Sequence, residues 1–148
     1  MSIRWKRVLA LLVTAFWIWF IFARSAKSAT ESGAESAVLL QYLQRFLPGL
    51  TDHLVRKLAH FTEYFLLGSL LFLDCRLLGR GAFLLPLGCG AAVACADELI
   101  IQANTPGRSA EIWDVLLDTL GVAAAIGLCL LLRRRKERRT REKTGTES

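Results

Sequence analysis

The four cysteines carry neither metal nor disulfide chemistry. Cys75, Cys89, Cys95 and Cys129 show no metal-ligand spacing and no secreted disulfide framework. All lie in or beside apolar blocks, where a free cysteine acts as a small hydrophobe, so core packing is their expected role. Internal repeats are missing as well. That weighs against a transporter working by alternating access, because four spans would then need a dimer. Length is also short: 53% of the 148 residues are hydrophobic and fall in long blocks, leaving no room for a soluble module. The charged share is an ordinary 22%, but these residues collect between the blocks instead of alternating along amphipathic elements. That segregation belongs to the membrane class.

The net charge of +6 does not point to nucleic acid. Its largest part is the run Arg133, Arg134, Arg135 and Lys136, continued by Arg138, Arg139, Arg141 and Lys143, directly after an apolar segment. A chain built to grip nucleic acid interleaves aromatic residues with its cations, and residues 133–148 contain none. Juxtamembrane cations of this kind hold anionic lipid head groups and fix orientation.

The expected fold is all-α: a four-helix transmembrane bundle with an extra amphipathic helix in its first outer loop. Residues 1–132 form one membrane domain with spans at about 4–23, 54–74, 81–101 and 112–132, and residues 133–148 form a tail without regular structure. The first apolar block, 8–23, is about 24 Å long as a helix. Trp17, Trp19, Phe20 and Phe22 crowd its end. Ala26-Lys27-Ser28 offers a signal-peptide cleavage site, but the length and aromatic content of the block favour a retained anchor. Residues 24–33 read as a polar loop. Val38, Leu39, Tyr42, Leu43, Phe46 and Leu47 then recur at helical spacing, which predicts about three amphipathic turns over 35–47, ended by Pro48-Gly49. Thr51 and Asp52 are the expected caps of the second span. In the third, Pro86 is expected to kink the helix, while Gly88, Gly90, Ala91, Ala92 and Ala94 allow close packing.

Lys and Arg set the orientation. With both termini cytoplasmic, the inner segments outweigh the outer loops in basic residues by roughly two to one. The expected location is therefore the inner membrane. The second span then runs inward, the third outward and the fourth inward. Measured by helical rise, His60 lies about 21 Å above Asp74, Asp97 about 25 Å above Arg80, and Asp118 about 22 Å above Arg133. Three helices thus bring ionisable groups to one level in the outer leaflet. Lys57, His60 and Tyr64 share a face of the second span, with Glu63 beside it, and Glu98 shares a face of the third with Gln102. Asp114, Asp118, Gly121 and Ala125 form a stripe on the fourth, acidic above and small below. Small residues pack against a neighbouring helix, so the acids above them are expected to point inward.

Unpaired charge in hydrocarbon costs about 2.5–3.5 kcal/mol per residue even on the lower insertion scales. These groups are therefore paired, hydrated or functional. In the functional reading His60, Glu63, Asp97, Glu98 and Asp114 are the candidate catalytic groups. Lys57, Tyr64, Gln102, Arg108 and Asp118 are the candidate binding groups, with Arg108 and Lys57 suited to an anionic head group. The partner is then a membrane lipid or a lipid-linked envelope precursor. No metal site or cofactor is assigned, although His60, Glu63, Asp97, Glu98 and Asp114 are competent ligands for a divalent ion. In the structural reading, Arg108, Lys57 or His60 simply neutralises the acids. A non-enzymatic interaction protein would fit that arrangement.

The ordered set Arg56-Lys57-Leu58-Ala59-His60-Phe61-Thr62-Glu63-Tyr64, Asp97-Glu98 with Gln102, Pro106-Gly107-Arg108, and Asp114-Val115 with Gly121 resembles the VanZ-like family of small membrane proteins. The likeness covers about 56–127. It implies four spans and a cell-envelope role, with kinship to the accessory protein of resistance to the glycopeptide teicoplanin. Two positions depart from the family's pattern. Ala23-Arg24-Ser25 stands where a Ser-Ser-Gln-like end is common, and Asp118 stands where Asn is common.

Overall fold

The computed structural model describes residues 2–145, with no account of the side chains of Leu39 and of 141–145. The described residues are mostly helical, with no strands among them. Helix α1 covers Ile3–Ser25, α2 Ala29–Leu43, α3 Asp52–Leu77, α4 Leu84–Ala96 and α5 Ile112–Gly145. Four helical stretches are long and apolar enough to cross a membrane: α1, α3, α5 up to Thr140, and the rod Leu84–Asn104 that begins with α4.

The distribution of side chains is inverted relative to a water-soluble protein. Trp5, Leu12, Phe16, Trp19, Leu84, Ile100, Leu116 and Leu120 are exposed, whereas Asp74, Asp97, Glu98, Gln102 and Asp118 are buried. Hydrocarbon accepts the first set without cost, and burying the second set keeps its charges out of lipid. Helix α3 is the axis, with α1, α2, α4 and α5 all packed on it.

Small residues set how close the axes come. A Cβ on Gly68 would stand 2.7 Å from the Val122 carbonyl oxygen, and one on Gly121 would stand 2.8 Å from the Phe61 carbonyl oxygen. Helices α3 and α5 therefore touch backbone to backbone at two levels. Gly90 of α4 receives the Val122 side chain in the same way. Of the small residues expected to pack in the third span, Gly90 and Ala94 are buried, while Gly88 and Ala92 are exposed. Their inward positions are four residues apart, one helical face.

Local signals explain the ends. Thr51 caps α3 by accepting from the Leu54 amide. Gly79, at φ +68°, ends it, and the Arg80 amide donates to the Cys75 carbonyl at 2.8 Å. That closing bond needs a left-handed residue, which glycine adopts at no steric cost.

Several boundaries differ from the sequence reading. Residues 24–33 are mostly helical. Helix α1 runs on to Ser25, and α2 starts at Ala29 because Ser28 and Glu31 form a reciprocal capping box. Helix α2 then stops at Leu43, so Phe46 and Leu47 lie beyond it. Its serine face turns inward and Val38 and Tyr42 stay exposed, so its apolar side faces away from the bundle. Pro86 does not kink the third span. It sits in the first turn of α4, where proline's missing amide has no partner to lose. The irregularity comes later, as a widened π turn over Asp97–Ile101 followed by a 3-10 turn over Gln102–Asn104. Of the tail expected to lack structure, residues 133–145 continue α5, with Arg133 bonded to Glu137 one turn on, and 146–148 lie outside the described residues. Lys, Arg and Glu are good helix formers, so nothing in the run stops the helix.

Candidate functional site

The ends of α1 and of the Leu84–Asn104 rod meet the starts of α3 and α5 at one end of the bundle. The alternating direction of the four helices requires this. The loop 105–111 and helix α2 close over that end. The Ala29 amide donates to the Pro106 carbonyl at 3.2 Å. Gly107, at φ +75°, leaves only enough room for the Ala29 methyl, which a Cβ there would meet at 3.0 Å.

The π turn organises the acids of the third span. An ordinary helix aligns residue i with i+4, whereas a π turn also brings i+5 into line. The Gln102 amide accordingly donates to Glu98 Oε2 at 2.5 Å and lies 3.4 Å from Asp97 Oδ2. The other Glu98 oxygen accepts from the Glu111 amide at 2.8 Å, tying the loop to the rod. Arg108 donates to Gln102 Oε1 at 2.8 Å and to Ser32 of α2 at 2.9 Å. One line of bonds thus links the rod, the loop and α2.

Four other cations at this end each have an acid. Lys57 meets Asp114 Oδ1 at 2.5 Å, Arg24 meets Glu63 at 3.1 Å, and Arg56 meets Asp52 at 3.2 Å. Lys27 binds Glu35. Arg108 differs. Among the described residues no carboxylate lies within ion-pair distance of it, and both recorded partners are neutral. Burial, with Arg56 nearby, draws its guanidinium below the ordinary value.

Beneath this layer lie His60 of α3, Asp97 at the head of the π turn, and Asp118 of α5. One ligand atom from each falls within 4.8 Å of the other two. His60 Nδ1 stands 3.8 Å from Asp118 Oδ2, too far for a direct hydrogen bond. Asp97 Oδ2 accepts from Ser25 at 2.8 Å, while Asp97 Oδ1, both Asp118 oxygens and the Tyr64 hydroxyl are buried without a partner. Asp97, Asp118 and Tyr64 are all fully buried.

Ten residues were singled out from sequence, and the structure sorts them into groups. His60, Asp97 and Asp118 cluster together, with Tyr64 in the core within electrostatic reach of both acids. Glu98, Gln102 and Arg108 form the bonded line, and Lys57 and Asp114 form a pair. Glu63 pairs with Arg24 while staying within electrostatic reach of His60, Asp97 and Asp118. It lines a groove with Trp17, Phe20 and Leu66, and Trp17 Nε1 donates to its carbonyl at 3.0 Å. His60 therefore looks to Asp118, and Glu63 looks to Arg24.

A cavity of about 190 Å³ is lined by Arg56, Lys57, His60, Arg108, Asp114 and Asp118 among others. A second, of about 150 Å³, lies under α2, and Arg56, His60 and Arg108 border both. Sequence reading did not assign Arg24, Ser25, Ser32, His53 or Arg56 to the site. Arg24 and Ser25 stood in a stretch read as loop, and the bond from Ser32 to Arg108 joins residues 76 positions apart. Arg56 carried a visible signal, one position before Lys57 in the motif.

This arrangement defines a multi-pass membrane protein, a helical bundle with lipid-facing apolar surfaces and a buried ionisable cluster at one end. The family model described as VanZ/LLP1 matches residues 10–133, and the chain belongs to that family. The match takes in α1 from residue 10 onward, which the motifs noted from 56 onward did not cover. No curated protein and no solved structure matches the chain.

Proposed function

We propose that the cavity beside Arg108 receives the anionic head group of a membrane amphiphile, a lipid or a lipid-linked envelope precursor, from the outer leaflet of the cytoplasmic membrane. The observation that carries this reading is Arg108 itself, a part-buried guanidinium between two cavities with only neutral partners. A cation in that state gains most from a phosphate or carboxylate oxygen, which its planar fork can hold through two bonds. His60 and Arg56 border the same space, and the Lys57–Asp114 pair forms its wall. The acyl chains would lie along the apolar surface of the bundle. A cell-envelope role, including tolerance of glycopeptide antibiotics, is the physiological setting to examine.

The test is lipid retention by purified protein in nanodiscs containing phosphatidylglycerol or undecaprenyl phosphate. Wild type should enrich the anionic lipid, and Arg108→Gln should lose at least ten-fold in affinity while keeping its helical signal. Equal retention by the two proteins would sink the reading. The paired state of Lys57, Arg24 and Arg56 favours the alternative, a non-enzymatic interaction protein whose buried charges are structural. Its mark is that Arg108→Gln and His60→Ala lower protein abundance and cellular effect in equal proportion.

A further inference from the structure

We infer that His60, Asp97 and Asp118 form a binding site for one divalent transition-metal ion of the zinc class. This goes beyond the head-group reading and does not depend on it. The first support is proximity across three separate helices, with one donor atom from each residue within 4.8 Å of the others. In a tetrahedral site, two donors at about 2.0–2.2 Å from the ion stand roughly 3.3–3.6 Å apart. The 3.8 Å between His60 Nδ1 and Asp118 Oδ2 lies just beyond that interval, and a small side-chain rotation closes the difference.

The second support is independent of the spacing. Four oxygen atoms, Asp97 Oδ1, both of Asp118 and the Tyr64 hydroxyl, are buried without any hydrogen-bond partner. Natural interiors leave few such atoms, and each calls for a ligand, a water or an ion. Among the described residues, no lysine or arginine beside the cluster is left over to serve them. Lys57 is committed to Asp114, Arg24 to Glu63 and Arg56 to Asp52, while Arg108 spends its recorded bonds on Gln102 and Ser32. Two carboxylates and a neutral imidazole around a divalent ion sum to zero charge. In a membrane interior that is the cheap state.

The surroundings match those of metal ligands. Ser25 donates to Asp97 Oδ2, and the Gln102 amide lies on the same oxygen. Both hold the carboxylate through one oxygen and leave Oδ1 without a partner, as outer partners do around metal centres. The Tyr64 hydroxyl is placed to bond a ligand oxygen or a bound water. One imidazole with two carboxylates suits zinc or manganese. Calcium takes six to eight oxygens, more than this site offers, and magnesium rarely takes imidazole. His60 and Asp118 also line the open cavity, so the ion's unfilled positions would face it.

The experiment uses the full chain without a polyhistidine tag, stripped by chelator in detergent and titrated with zinc alone, with no lipid added. Wild type should bind one ion per chain. His60→Gln and Asp118→Asn should each bind at least 100-fold more weakly, and Asp74→Asn, a buried acid that bonds Thr14 elsewhere in the bundle, should bind as wild type does. Stoichiometry well below one in wild type overturns the proposal, as does undiminished binding by Asp118→Asn. Absence of zinc from the wild type would point instead to carboxylates neutralised by protons. Should the cluster variants fail to fold, X-ray absorption of zinc-loaded His53→Gln protein decides, because His60 is then the sole histidine. An imidazole signature supports the site, and an all-oxygen shell removes it. Loss of zinc with lipid retention intact, or the reverse, separates this site from the Arg108 cavity.

Discussion

Lys57 and Asp114 show how a single contact is used at this end of the bundle. Their side chains are 28% and 31% exposed, so the pair is neither a solvated surface bridge nor fully desolvated. Removing one partner leaves the other charge half-buried. Asp114→Asn is therefore expected to cost about 1–3 kcal/mol, between the values for exposed and buried pairs. Changing both residues to Met and Leu should restore most of that loss. Reversible denaturation in mixed micelles measures both, and a double variant as unstable as the single one would contradict the assignment. Arg108 makes a different demand. Its planar fork reaches Gln102 and Ser32 at once, which the single ammonium of lysine cannot copy, so Arg108→Lys should behave much like Arg108→Gln in lipid retention.

Between elements, backbone contact decides the geometry. Helix α3 meets α5 at Gly68 and Gly121, and the opposing atoms belong to backbone that cannot rotate away. Gly68→Ala should push the axes apart and destabilise the bundle by about 1–3 kcal/mol. It should also weaken zinc binding, since His60 and Asp118 ride on those helices. Gly127→Ala is the control, because nothing lies within 4 Å of an added Cβ there. At the start of α2, Ser28 bonds hold the Glu31 carboxyl below its usual range. A carboxyl lowered by folding stabilises above its ordinary value and loses that contribution as pH falls. Acidification below the normal glutamate range should lower the protection of the first-turn amides of α2, measured against intrinsic exchange at each pH, and Ser28→Ala should abolish that pH dependence.

At the scale of the whole molecule, the end bearing Arg108 and the end bearing the basic stretch of α5 lie at opposite ends of the bundle. We expect the basic stretch on the cytoplasmic side. In a cysteine-free background, Ser109→Cys should react with an impermeant maleimide added to intact cells, and a cysteine placed at Thr140 should not. The reverse pattern would move the Arg108 cavity to the cytoplasmic leaflet and with it the source of its ligand. Helix α2 fits the outer assignment. Its Ser32 and Ser36 turn toward the bundle while Val38 and Tyr42 face away, as for a helix resting at a lipid boundary.

The sequence by itself determined four apolar segments, their alternating directions and the common level of His60, Asp97 and Asp118. Hydrophobic length and helical rise depend only on order along the chain. The small stripe of Gly121 and Ala125 likewise announced which way Asp118 points, because close packing needs small residues wherever they fall. Tertiary structure decided the pairing. Asp114 belongs to Lys57, Glu63 to Arg24 and Glu98 to the loop amide, which leaves Asp97 and Asp118 with His60. Those choices rest on rotation of each helix about its axis and on a π turn at Asp97 that no periodicity announces. A rotation of some tens of degrees changes partners without altering a single hydrophobic block. For that reason, composition could locate the charged layer but not say which groups in it remain unpaired.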